Sequence, residues 1–140
     1  MGFTHLHVAS SFSAHYGTAT PGELVGIAVE AGADAAAITD RDGLYGAIRH
    51  LGACRRNGID PIVGVELGVQ PDAAATSAGR RRSAAETDRV VVLAHGHNDG
   101  AGWASLCRLI SAAHGRATRT VSGSANSVAT ITKSRIRAFL

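Results

Sequence analysis

The chain has 140 residues and a mass of 14.3 kDa, enough for one domain with its own core but not for two full-sized ones. Apolar residues make up 45%, charged residues 18% and aromatics 4%, so the core is predicted to be built from small aliphatics, and no apolar run approaches the roughly 18 residues of a membrane span. The net charge of +3 is confined to one end: residues 1–115 hold nine basic and eleven acidic side chains and residues 116–140 hold five basic and none acidic, so the basic pI is no evidence for a nucleic-acid-binding face.

Phe3–Val8 alternates with period two and reads as a strand carrying Phe3, His5 and His7 on one face. Thr20-Pro21-Gly22-Glu23 is a capping box with proline at the first helical position, opening a helix through Val29 that Gly32 closes. Ala35–Thr39 is a short continuous apolar run, the pattern of a strand buried on both faces. Leu44, Ile48 and Leu51 mark the apolar stripe of a second helix, ended by Asn57-Gly58. Pro61–Val69 is a third strand, residues 71–88 a polar loop that includes Arg80-Arg81-Arg82, and Val90–Ala94 a fourth strand. Trp103, Leu106, Ile110 and Ala113 give a last helix, capped by Asn98 or Asp99 and by Gly115. Tyr45 and Trp103 are assigned to core packing, and His15, His50 and His114 to the surface or to helix ends. His95 and His97 are read as loop polar residues.

Residues 116–140 are basic and rich in Ser and Thr, with Val128–Ile131 as a candidate short strand; the segment reads as an unassigned tail. The alternation of strand and helix predicts an α/β fold with a parallel sheet and right-handed crossovers. Four such units are half of a closed barrel, so an incomplete one is expected. The first residues carry no basic and apolar leader pattern, and two cysteines, Cys54 and Cys107, make no disulfide framework; both point to a reducing cytoplasm.

Chemistry-bearing residues fall where parallel α/β folds place them. His5 and His7 sit two apart on one strand, about 6.5–7 Å between Cα atoms. Asp40 follows the second strand, and Glu66 lies in the third. Imidazoles and carboxylates from successive strands suit Zn²⁺ or Mn²⁺, which activates water against a phosphodiester. No phosphate-binding glycine loop is present around Gly43 and Gly46.

Phe3-Thr4-His5-Leu6-His7-Val8-Ala9-Ser10-Ser11-Phe12-Ser13 with Gly17 resembles the opening of the PHP (polymerase and histidinol phosphatase) domain, and in particular the N-terminus of bacterial C-family DNA polymerases. Ala37-Ile38-Thr39-Asp40-Arg41-Asp42-Gly43-Leu44-Tyr45-Gly46 is similar to the second motif, and Pro61-Ile62-Val63-Gly64-Val65-Glu66-Leu67 to the third. Val92-Leu93-Ala94 and Gly102-Trp103 through Ile110 extend the resemblance to residue 115.

It implies part of a distorted, TIM-like β/α barrel over residues 1–115. It also implies a parent DNA polymerase III α-type or error-prone polymerase that uses Mg²⁺, with DNA and replication proteins as partners and no membrane. The motif around Asp42-Gly43-Leu44-Tyr45-Gly46 leans toward the error-prone type. The metal set it implies is His5, His7, Asp40 and Glu66, but the match is incomplete. Aligned on Phe12-Ser13 and Gly17, the family's His-x-His falls on His7 and Ala9, an expected Asp on Tyr16 and an expected His on Arg41; pairing His5 with His7 needs a two-residue slip. A degenerate site is therefore expected. The alternatives are a stand-alone metal-dependent phosphoesterase of the histidinol phosphatase type and a non-catalytic remnant or binding module.

Overall fold

A computed structural model describes residues 2–70, 88–95, 100–117 and 130–132. The described elements run α1 (Pro21–Glu30), β1 (Ala35–Ile38), α2 (Ala47–Asn57), β2 (Asp60–Gln70), β3 (Asp88–Leu93), α3 (Ala101–Ala117) and β4 (Thr130–Thr132). In the sheet, β2 lies between β1 and β3, and β4 also pairs with β2. The fold is α/β with parallel βα units, as the sequence pattern predicts. Arg80–Arg82 and the predicted caps Asn98 and Asp99 lie outside the described residues.

The chain divides into two compact units, one of Met1–Glu66 with Val91–Ala94 and one of Leu67–Val90 with His95–Leu140. In the first, α1 starts as predicted. The Glu23 amide donates to the Thr20 hydroxyl, and the Thr20 amide donates to the Glu23 carboxylate at 2.7 Å. The bond from the Thr20 backbone, then that with its side chain, holds the Glu23 carboxyl below the usual carboxylate range. The helix closes through Ala31 and a left-handed Gly32 at φ 71°.

Parallel pairing of β1 with β2 runs from Ala35 opposite Asp60 to Ile38 opposite Val63. The same offset continues beyond β1, where Arg41 bridges Glu66. β2 is buried from Val63 to Val69, as a strand covered on both faces should be.

Phe3–Val8 is not a strand, contrary to expectation. It runs beside β1, but side chains take bonds that a ladder would have made. The Val8 amide donates to the Thr39 hydroxyl at 2.8 Å, the Thr39 amide returns a bond to the Val8 carbonyl at 2.7 Å, and the Thr4 hydroxyl reaches the Ala35 carbonyl. Threonine offers the backbone this alternative because its short hydroxyl both donates and accepts.

The core of this unit is thin. Val25, Ala36, Ala53 and Cys54 are packed with Ala28 and Ile59 around them. Small residues on β1, α1 and α2 let the helices approach the sheet closely. Tyr45 and Trp103 are exposed rather than core residues, as are Phe3, Phe12 and Tyr16. The predicted α2 stripe is also displaced: Ile48 is 69% exposed, and the buried face is Ala47, His50, Ala53 and Cys54.

His50, expected at the surface, is fully buried; its Nε2 lies 2.9 Å from the Ala36 carbonyl and 3.5 Å from Cys54 Sγ. Burial raises the Cys54 thiol above its ordinary value, with Asp60 adding to the shift. Both cysteines are free thiols, Cys107 half-buried.

In the second unit, Leu67, Val69, Leu106, Leu109 and Ala113 are buried, and α3 lies against β4. The predicted strand near Val128–Ile131 is found at Thr130–Thr132, paired in parallel with Gly68–Gln70. Gly115, predicted to end the last helix, lies inside α3.

Burial lowers the His50 pKa, outweighing the Ala36 carbonyl and Asp40, which pull the other way. The unfolded chain therefore takes up this proton at a higher pH than the folded one. The stability that neutral His50 gives is complete above about pH 6.5 and is lost as pH falls through and below that value. Urea midpoints at pH 7.5 and 5.5 should separate for the native chain and converge for His50→Gln; an unchanged gap in the variant would refute the assignment.

Candidate functional site

Asp40 stands two residues beyond the end of β1 at Ile38 and is 2% exposed. Its carboxylate receives four donors. The Ser10 amide and hydroxyl and the Ser13 hydroxyl donate to Oδ1 at 2.8, 2.8 and 2.9 Å, and the Gly46 amide donates to Oδ2 at 3.2 Å. The serine hydroxyls also accept, Ser10 from the Phe12 amide and Ser13 from the Arg41 amide. Asp40 thus ties the Ser10–Gly17 turn to the start of α2. Gly46 is required there: a Cβ on it would lie 2.6 Å from Asp40 Oδ2 and 2.7 Å from Ile38 Cδ1.

Glu66, opposite Arg41, is 8% exposed within β2. Its Oε2 meets His7 Nε2 at 2.9 Å, and its Oε1 faces Arg41 Nε at 3.3 Å, an ion pair too poorly aligned for a hydrogen bond. The Glu66 amide donates to the Asp40 carbonyl and the Asp42 amide to the Glu66 carbonyl, so the two strands stay in register through the site. The Arg41 guanidinium carbon lies 3.5 Å from the centre of the Tyr16 ring.

Of the four metal-ligand candidates, His7 and Glu66 are in contact. Asp40 is turned into its own hydrogen-bond cluster. His5 packs edge-on against Phe3, with ring centres 4.8 Å apart. His5 and His7 also line an apolar cavity of about 510 Å³ beside α1, with Phe3, Leu24, Ile27 and Ala36. A divalent ion does not fit this donor set. Asp40 is saturated by neutral donors, one oxygen of Glu66 faces a permanent cation, and the described residues contain no group of three or more His, Cys, Asp or Glu able to hold an ion.

Sequence reasoning missed Ser10, Ser13, Thr39 and Gly46 as the partners that position the site. Their residue types were visible, but no spacing rule links a serine to a carboxylate 27 or 30 residues on.

The profile of the PHP domain family matches residues 5–134. The chain belongs to the PHP domain family. It is 40% identical over 112 residues to the error-prone DNA polymerase of Anaeromyxobacter sp. (strain K), covering 80% of this chain and 9% of that protein. It is 34% identical over 119 residues to the error-prone DNA polymerase of Corynebacterium diphtheriae, covering 85% and 10%. The chain thus corresponds to the N-terminal part of such polymerases and spans about a tenth of their length.

Two solved structures share the fold, each with a TM-score of 0.51. An amidohydrolase from Chromobacterium violaceum with bound sulfate and no metal is 24% identical, over 86% of this chain and 40% of that one. A Bifidobacterium adolescentis protein, provisionally named a metal-dependent phosphoesterase, is 22% identical, over 83% and 34%. This chain therefore covers less than half of either of those chains.

Asp40→Asn places amide hydrogens against donors and should destabilise the chain by on the order of 3 kcal/mol. Gly46→Ala should cost about 1–3 kcal/mol by overpacking. Urea unfolding measures both, and a loss under about 0.5 kcal/mol for Asp40→Asn, the size of a neutral surface change, would remove Asp40 from its organising role.

Proposed function

We propose that this chain is the N-terminal PHP portion of an error-prone DNA polymerase of the C family, acting in DNA replication or translesion repair synthesis. The observation that carries the reading is identity of 34–40% over four fifths of the chain to polymerases with that activity. The parent polymerase extends DNA by nucleotidyl transfer with Mg²⁺, at a site these residues do not include. Its partners are DNA and other replication proteins, and it works in the cytoplasm. The PHP part takes in residues 1–115 and reaches into the basic segment 116–140, whose residues Thr130–Thr132 pair with β2.

Within that polymerase the domain acts as a scaffold and not as a hydrolase. Family membership and the name of the Bifidobacterium protein point to a metal-dependent phosphoester site, with Zn²⁺ or Mn²⁺ as the ion and His5, His7, Asp40 and Glu66 as its remnant here. The Arg41–Glu66 contact and the saturated Asp40 support loss of that site. The stand-alone phosphoesterase reading needs those two carboxylates free.

Two measurements test the reading. Blotting source-cell lysate with an antibody to residues 1–115 should show a band many times larger than 14.3 kDa. A band only at 14.3 kDa would overturn the polymerase assignment in favour of a remnant or binding module. Purified chain should carry well under one equivalent of Zn or Mn by elemental analysis. A full equivalent, with release of nitrophenol from bis-nitrophenyl phosphate, would favour the phosphoesterase.

A further inference from the structure

Tyr16 and Arg41, the two positions where the family resemblance expects an aspartate and a histidine, touch each other. The guanidinium carbon lies over the ring, 3.5 Å from its centre, while Nε faces Glu66 Oε1 at 3.3 Å. Both charged side chains are largely withdrawn from water, Arg41 at 16% and Glu66 at 11% exposure. A carboxylate buried in the middle of a sheet needs a counter-charge or a set of donors.

We propose that Arg41 is a built-in cation that takes the place of a divalent ion as the counter-charge of Glu66, and that Tyr16 is the positioning residue that holds it there. The inference rests on membership in the PHP family and not on the polymerase reading.

Three features of the geometry support the assignment. Parallel register sets Arg41 opposite Glu66, so the ion pair follows from the strand pairing and not from a chance meeting of long side chains. The Tyr16 ring is carried on a turn with its own anchors: the Tyr16 and Gly17 amides donate to the Ser13 carbonyl, and the Ser13 hydroxyl is bound to Asp40. His15 beside it adopts a left-handed φ of 69° within that turn. A guanidinium suits the role because it is always charged, planar enough to stack on a ring, and weakly hydrated. Unlike a metal ion, it cannot be removed by a chelator or lost at low pH. The two substitutions form one unit, in which an aromatic face replaces a metal ligand because the cation it must hold has changed.

The test is a mutant cycle on the 140-residue chain, read by thermal melting. Arg41→Met should lower the melting temperature by about 4 °C or more, and Tyr16→Leu by less. The double variant should melt within about 2 °C of Arg41→Met alone, because Tyr16 acts only through the guanidinium. Additive losses would overturn the coupling. Arg41→Lys keeps the charge without the plane and should fall between native and Arg41→Met; a loss equal to that of Met would overturn the counter-charge role.

Metal gives an independent readout that does not depend on those variants folding well. Neither EDTA nor millimolar Mn²⁺ should move the melting temperature of the native chain. Ala9→His with Tyr16→Asp should stay insensitive to Mn²⁺, and adding Arg41→His should confer an upward shift. A shift in the native chain or in the double variant would sink the proposal. A small native product in the lysate blot would overturn the polymerase reading and leave this inference intact.

Discussion

One buried carboxylate organises the functional end of this domain. Moving a charged group such as Asp40 out of water costs several kcal/mol unless donors replace the water it loses. Here the replacements are two serine hydroxyls and two backbone amides, from the Ser10–Gly17 turn and from the start of α2. The strand end, the turn and the helix are therefore fixed by a common acceptor. Each of the neighbouring contacts inherits its geometry from that arrangement: the turn presents Tyr16, the strand end presents Arg41, and Arg41 meets Glu66 across the sheet.

A second constraint is the thinness of the core. Alanines on β1 and on both flanking helices bring these layers together, and Phe3, Phe12, Tyr16 and Tyr45 are left at the surface. The same close approach puts His50 inside, where its ring reaches the Ala36 carbonyl beneath the sheet. An imidazole can fill that place only in its neutral form without a further partner, so a titrating group is built into the packing. The exposed rings are not idle in consequence, since Phe12 lies under Arg49 and Tyr16 under Arg41.

The proposed loss of metal chemistry would leave the family fold in place. The chain belongs to the PHP family, and its β1–β2 register sets Glu66 opposite Arg41. The charge balance around Glu66 is set by Arg41 and His7. An arginine and a tyrosine stand at positions where the resemblance implies ligands, and they make contacts of their own. Fold does not by itself decide function, so the assignment rests on these side chains.

Much of this was legible in the amino-acid sequence because it depends on neighbours along the chain. The capping box at Thr20–Glu23, the glycine that closes α1, the buried runs of β1 and β2 and the order of elements all follow from short-range rules of backbone geometry and periodicity. The motifs around His7, Asp40 and Glu66 carried the family by the same local route. Tertiary structure decided the rest. It alone determined that Phe3–Val8 trades ladder bonds for the Thr39 hydroxyl, that α2 buries His50 and not Ile48, and that Asp40 faces serines while Glu66 faces an arginine. Those outcomes depend on how closely two layers approach and on which polar groups, tens of residues apart, must satisfy one another once water is excluded. No local pattern encodes either quantity.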